Sequence, residues 1–180
     1  MNISVFGGSQ PKPGESAYDD ALSLGRLLGS AGHTVLTGGY IGTMEAVSQG
    51  ASQEGAHVIG ITCSQIESWR AVRPNPWIIE ERRFEYLYQR ILALVESCDA
   101  AIALPGGAGT LTEVAVMWNL MLTTAISPRP LILVGGGWKT TFRTFFNELG
   151  GYTPVQYRKL LLYASDINDG FEMLEASLPD

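Results

Sequence analysis

The sequence predicts a Rossmann-like α/β fold, a doubly wound parallel sheet in a single domain spanning residues 1–180. Three observations carry that prediction. Short apolar runs alternate with helix-period segments along the whole chain, as repeated βα units require. The run Ala100-Ala101-Ile102-Ala103-Leu104 is almost continuously apolar, which suits a strand covered on both faces. The 21 glycines cluster where such runs end, at the strand-to-helix turns.

Taken in order, strands are expected near 2–6, 33–37, 57–61, 99–104, 130–134 and 159–163. Helices are expected near 16–31, 43–54, 82–97, 110–124, 138–148 and 168–177. The opening MNISVFGG has no basic region before its apolar run, so it reads as the first strand and not as a signal peptide. The second strand closes at Thr37-Gly38 and the third is Val58-Ile59-Gly60-Ile61. The stretch 62–80, with Arg73-Pro74-Asn75-Pro76, is the longest irregular connection and is expected to flank a site. Beyond it, Phe84, Leu87, Ile91, Leu94 and Val95 recur at helical spacing, with Glu80-Glu81-Arg82-Arg83 as a solvated helix start. No composition shift, repeat or low-complexity tract divides the chain.

Composition narrows the function classes. Hydrophobic residues make up 46% and charged residues 17%, enough apolar material for a core. The formal net charge of -6 argues against a general nucleic-acid binder, which needs a basic face. No apolar run reaches the roughly 18 residues that would span a membrane. Cys63 and Cys98 form no CxxC pair and have no histidines nearby, so neither a disulfide framework nor a zinc site is expected, and a cytoplasmic setting is the default. No metal or cofactor is implied, because no His, Cys or carboxylate cluster has ligand spacing. His33 and His57 stand beside strand starts and read as structural.

Three turns are rich in glycine: Gly7-Gly8-Ser9, Gly38-Gly39-Tyr40-Ile41-Gly42 and Pro105-Gly106-Gly107-Ala108-Gly109-Thr110. In a parallel sheet all three lie on the carboxyl edge, where ligands bind. Glycine lets backbone amides approach a phosphate, and the helix that follows adds partial positive charge. A phosphate-bearing small molecule is therefore the leading ligand class. The P-loop pattern is absent, since Gly137-Trp138-Lys139-Thr140 lacks its upstream glycine. The GxGxxG fingerprint and an acidic residue after the second strand are also missing, which favours a mononucleotide over NAD or FAD.

Pro105 to Glu113 reads PGGAGTLTE, and this segment resembles the PGGxGTxxE motif of the Lonely guy (LOG) family of cytokinin riboside 5'-monophosphate phosphoribohydrolases. Gly38-Gly39-Tyr40-Ile41-Gly42-Thr43-Met44 is similar to that family's GGGxxGLM turn, with Thr37 at its first glycine. Val5-Phe6-Gly7-Gly8-Ser9 resembles VFCGSS, and Val58-Ile59-Gly60-Ile61 resembles VIGVIP. The match runs in order from about residue 3 to 134. It implies hydrolysis of a nucleoside 5'-monophosphate to free base and ribose 5-phosphate by a homodimer. By position in the motifs it implies Arg90 and Glu113 as the catalytic pair. The substrate-binding residues it implies are Gly8, Ser9, Gly39, Gly42, Met44, Gly106, Gly107, Ala108, Gly109, Thr110 and Asn119. The chain departs from the family at Ile91, where lysine is usual, and at Leu87-Tyr88-Gln89, where a Met-His lead-in is usual.

The chemistry fits those residue types. Cleaving an N-glycosidic bond builds positive charge on the ribose, which a carboxylate stabilises while it orients or deprotonates water. An arginine is permanently charged, so it suits orientation and not proton donation. Other readings stay open on the sequence. Thr110-Leu111-Thr112-Glu113 is also a T-x-x-E capping box, in which Glu113 would bond the helix's own amide. Arg82 or Arg83 would reach the ligand edge from a helix start. Val114, Met117, Leu120 and Met121 read as core or dimer contact, and Trp118 and Met121 as apolar surplus for a dimer. The three lysines, Lys12, Lys139 and Lys159, lie outside the glycine turns, which excludes a pyridoxal-phosphate decarboxylase. The rivals to an enzyme are a nucleotide- or molybdenum-cofactor-binding carrier of the same fold and a structural dimer with a vestigial pocket.

Overall fold

Alternating side chains along the strands build a core on each face of one sheet. In the computed structural model, which describes Met1–Leu178, the strands are β1 (Asn2–Phe6), β2 (Thr34–Thr37), β3 (Val58–Cys63), β4 (Glu80–Phe84), β5 (Ala100–Ala103), β6 (Leu131–Val134) and β7 (Leu162–Ala164). All pair in parallel in the order β4-β3-β2-β1-β5-β6-β7. The helices are α1 (Ser16–Ser30), α2 (Thr43–Gln53), α3 (Ser64–Trp69), α4 (Leu87–Glu96), α5 (Ala108–Leu122), α6 (Gly136–Leu149), α7 (Val155–Arg158) and α8 (Ile167–Ser177). Among the described residues, no helix is long and apolar enough to cross a membrane.

Ile3, Val5, Val35, Val58 and Ile102 face one layer and pack against α1, α2 and α8. Phe6, Leu36, Ile59, Ile61 and Leu133 face the other, against α4, α5 and α6. Each fully buried side chain of this size contributes about 1.5–3 kcal/mol relative to exposure. The sheet is built outward in both directions from neighbouring β1 and β5, so the topological switch point lies between them. The pairings Val5↔Ile102 and Phe6↔Ala103 bring the carboxyl ends of these two strands level. A crevice opens there because the connections from the two strands leave toward opposite layers.

The sheet has one strand more than the sequence pattern predicts. Glu80-Glu81-Arg82-Arg83-Phe84 is the edge strand β4, in register with Ile59–Cys63, and the helix expected over 82–97 begins only at Leu87. A charged run is tolerated there because the strand is at the sheet edge, where charge also discourages pairing with another chain. Phe84 therefore packs on the core from a strand, not from a helix. Arg82 pairs with Glu80, and Arg83 with Glu67, so neither serves the ligand edge. The 62–80 connection contains α3.

Trp118 and Met121 are used within the chain. Met121 is buried, while Trp118 Nε1 donates to the Tyr157 carbonyl at 2.9 Å and its ring meets Phe142, Phe145 and Phe146 edge-on. The apolar side chains left exposed near these helices are instead Leu87, Tyr88 and Leu92 of α4 and Leu111 of α5. His33 lies 2.7 Å from Glu175 and His57 2.9 Å from Glu80, both at the amino edge of the sheet.

Candidate functional site

The turns after β1, β2 and β5 line one cleft of about 430 Å³ at the switch point. That lies within the roughly 300–1,000 Å³ range of small-ligand pockets. Two glycines make the geometry possible. Gly42 has φ +77°, and a Cβ there would lie 2.5 Å from the Gly8 carbonyl oxygen and 2.6 Å from Ser9 Cα. The first two turns thus touch backbone to backbone, and Gly8 O accepts from the Thr43 amide at 2.9 Å. At Gly38 a side chain would occupy the space that the Arg90 guanidinium fills.

Helix α5 begins at Ala108 with Gly107 as its N-cap, and no side chain caps it. Its first amides therefore open onto the cleft with the positive end of the helix dipole behind them. A Cβ at Gly107 or Gly109 would meet nothing within 4 Å, so the rim is open to an incoming group. This start also removes the capping-box reading: Thr110 lies inside the first turn, and Glu113 turns inward, away from the helix end.

Glu113 and Arg90 form a buried pair on the cleft floor, each 6% exposed. Arg90 Nη1 donates to Glu113 Oε1 at 3.3 Å, Nε to the Ile61 carbonyl at 2.8 Å, and Nη2 to the Gly38 carbonyl at 3.2 Å. The guanidinium also lies 5.9 Å from the Tyr40 ring centre. Burial pushes the Glu113 carboxyl up from 4.5 to about 7, against the opposing pull of Arg90. Desolvation of the anion outweighs the ion pair. A carboxyl that titrates near neutrality can hold or release a proton at working pH.

The expected residues divide by position. Gly8, Ser9, Met44, Gly107, Ala108, Gly109 and Thr110 line the cleft with Arg90 and Glu113. Gly39, Gly42 and Gly106 shape its turns from behind without lining it. Asn119 is exposed on α5 and does not line the cleft; six residues after Glu113, it points to a different side of the helix. Among the lining side chains that escape sequence reasoning are the polar Tyr40 and Arg70. Tyr40 stands inside a glycine turn but carries no motif position of its own. Its hydroxyl accepts from the Cys63 amide at 2.8 Å, and burial pushes its pKa up to about 12. Arg70 comes from the irregular connection after β3 and donates to Ser9 Oγ at 3.1 Å.

Comparison with known proteins places this chain in a family. The model of the SLOG cluster4 family matches residues 1–124, which include all three glycine turns, Arg90 and Glu113. The chain belongs to the SLOG cluster4 family. Within the wider set of relatives, this SLOG protein is 30% identical to the cytokinin riboside 5'-monophosphate phosphoribohydrolase LOG of Oryza sativa subsp. japonica, over 99% of this chain and 74% of that one. It is also 30% identical to a cytokinin riboside 5'-monophosphate phosphoribohydrolase of Arabidopsis thaliana, over 98% of this chain and 83% of that one. Among solved structures, the molybdenum cofactor binding protein from the phototrophic bacterium Rippkaea orientalis superposes on this SLOG chain with a TM-score of 0.75. The two are 26% identical, over 97% of this chain and 95% of that one.

Proposed function

We propose that this SLOG protein hydrolyses the N-glycosidic bond of a nucleoside 5'-monophosphate of the AMP or cytokinin riboside type. The observation that carries the reading is the buried Arg90–Glu113 pair on the floor of a cleft whose rim is an uncapped helix start. The 5'-phosphate binds at the amides of Gly107 to Thr110, which sets the ribose over the floor. Glu113 accepts a proton from water as that water's oxygen bonds to the anomeric carbon. The bond to the base nitrogen breaks, the base takes up a proton from solvent as Glu113 returns its own to solvent, and ribose 5-phosphate remains. Ionised Glu113 also opposes the positive charge that develops on the ribose. Arg90 does not contact the substrate in this scheme. With its three nitrogens donating to Ile61, Gly38 and Glu113, it aims the carboxylate and holds down its pKa.

The second reading, a carrier of a nucleotide or molybdenum cofactor without turnover, is favoured by the likeness to the Rippkaea orientalis protein. Incubation with AMP, prenylated AMP and other monophosphates separates the two. The hydrolase releases free base and ribose 5-phosphate from at least one of them; binding without release across the panel identifies a carrier. Affinity for AMP well above that for adenosine is expected under both readings, because each places a phosphate at the α5 start.

A further inference from the structure

Among the described residues, three charged side chains line the cleft: Arg70, Arg90 and Glu113. With Glu113 ionised, Arg90 and Glu113 compensate each other, and each Arg90 nitrogen already donates to a protein acceptor. That pair therefore leaves a bound phosphate dianion without a counter-charge. Arg70 is different. It follows α3, is partly buried, and has no carboxylate partner among the described residues. Its one side-chain bond runs from Nη1 to the neutral hydroxyl of Ser9 at 3.1 Å.

Ser9 stands where two of the turns meet. A Cβ at the adjacent Gly8 would lie 3.4 Å from the Pro105 carbonyl oxygen and 3.5 Å from Gly106 Cα, so the β1 and β5 turns are in backbone contact. The Arg70–Ser9 pair thus ends one residue from that contact, beside the open α5 amides. We propose that Arg70 is the phosphate-binding side chain of this cleft and sets its preference for phosphorylated over unphosphorylated ligands. Its planar fork matches phosphate oxygens, and charge-assisted bonds to them are stronger than its bond to a neutral hydroxyl. Ser9 accepts from Arg70 with a lone pair and keeps its own proton to donate to the same anion. The role rests on the phosphate site proposed above and specifies which side chain neutralises it.

The test is binding, without reference to turnover. Dissociation constants for adenosine, ribose 5-phosphate and ribose, and for AMP with Glu113→Gln added to both proteins to suppress turnover, are measured by calorimetry at one low ionic strength, for wild type and Arg70→Gln. The expected result is at least a tenfold loss for AMP and ribose 5-phosphate in Arg70→Gln, with adenosine within twofold of wild type. Unchanged affinity for both phosphorylated probes overturns the role of Arg70 and leaves the phosphate site standing if wild type still prefers phosphorylated probes. An equal loss for adenosine overturns it too, because the residue is then only a wall of the cleft. Wild type that binds ribose 5-phosphate no better than ribose overturns the phosphate site itself, and Arg70's role with it.

Discussion

At the scale of the residue, the chemistry turns on how Glu113 shares its proton. Burial raises its pKa from 4.5 to about 7 while Arg90 pulls the other way. Because activity needs the ionised carboxylate, kcat/KM should rise with pH through a limb near 7. In Arg90→Ala the lowering influence is gone, so that limb should move to higher pH, with activity at pH 7 reduced and partly recovered at pH 8–9. A pH profile with an unmoved limb would show that Arg90 does not act through Glu113. Glu113→Gln should fold, since its amide oxygen can still accept from Arg90, and kcat should fall roughly 100-fold or more. The same shift reaches stability. The folded state holds the proton up to about 7, but the unfolded state loses it near 4.5. Stability from this group is thus greatest at low pH and declines as pH rises between those values. Denaturant midpoints should show that decline in wild type and a flatter profile in Glu113→Gln.

At the scale of the element, the glycine turns do two separate jobs, and substitutions tell them apart. Gly42 has φ +77° and touches the Gly8 and Ser9 backbone, so Gly42→Ala is strained and crowded at once. It should cost about 1–3 kcal/mol of stability, read from urea denaturation, before any effect on ligands is counted. Gly107 has an ordinary negative φ and open space beside it. Gly107→Ala should cost about 0.5–1.5 kcal/mol, the ordinary loss at an N-cap, and weaken binding of ribose 5-phosphate, because the methyl enters the space that the anion needs. Full retention of that binding would move the phosphate away from the start of α5. Helix α3 shows an element held from two sides: Glu67 bonds Arg83 of β4, and Arg70, just after the helix, reaches Ser9. The wall opposite the β1 turn is thereby tied to the sheet edge.

At the scale of the whole molecule, the exposed apolar side chains bear on assembly. Leu87, Tyr88 and Leu92 of α4 and Leu111 of α5 leave apolar surface exposed on two adjacent helices beside the cleft. We propose that a second copy of the chain covers this face, in keeping with the dimer that the LOG resemblance implies. Light scattering should give a dimer at micromolar concentration, and Leu92→Lys should shift it toward monomer. A wild-type monomer under those conditions would refute the dimer.

Much of this protein is legible in its sequence alone. The succession of βα units, the glycine turns at strand ends and the PGGAGTLTE segment are local features, readable from periodicity and spacing. The resemblance of these segments to the LOG family implies the Arg90–Glu113 pair, and the family model over residues 1–124 shows the membership. Only the tertiary structure decided the rest. A charged pentapeptide at 80–84 becomes a strand because the exposed edge of β3 is there to receive it, and helical spacing within the run does not record that neighbour. Glu113 faces Arg90 instead of capping its own helix because α5 starts one turn earlier than the T-x-x-E pattern implies. Arg70 and Tyr40 join the cleft without a motif, since their membership depends on long-range contacts. The parallel sheet order brings residues 9, 38, 61, 70, 90 and 113 to one edge, and no local pattern encodes that convergence.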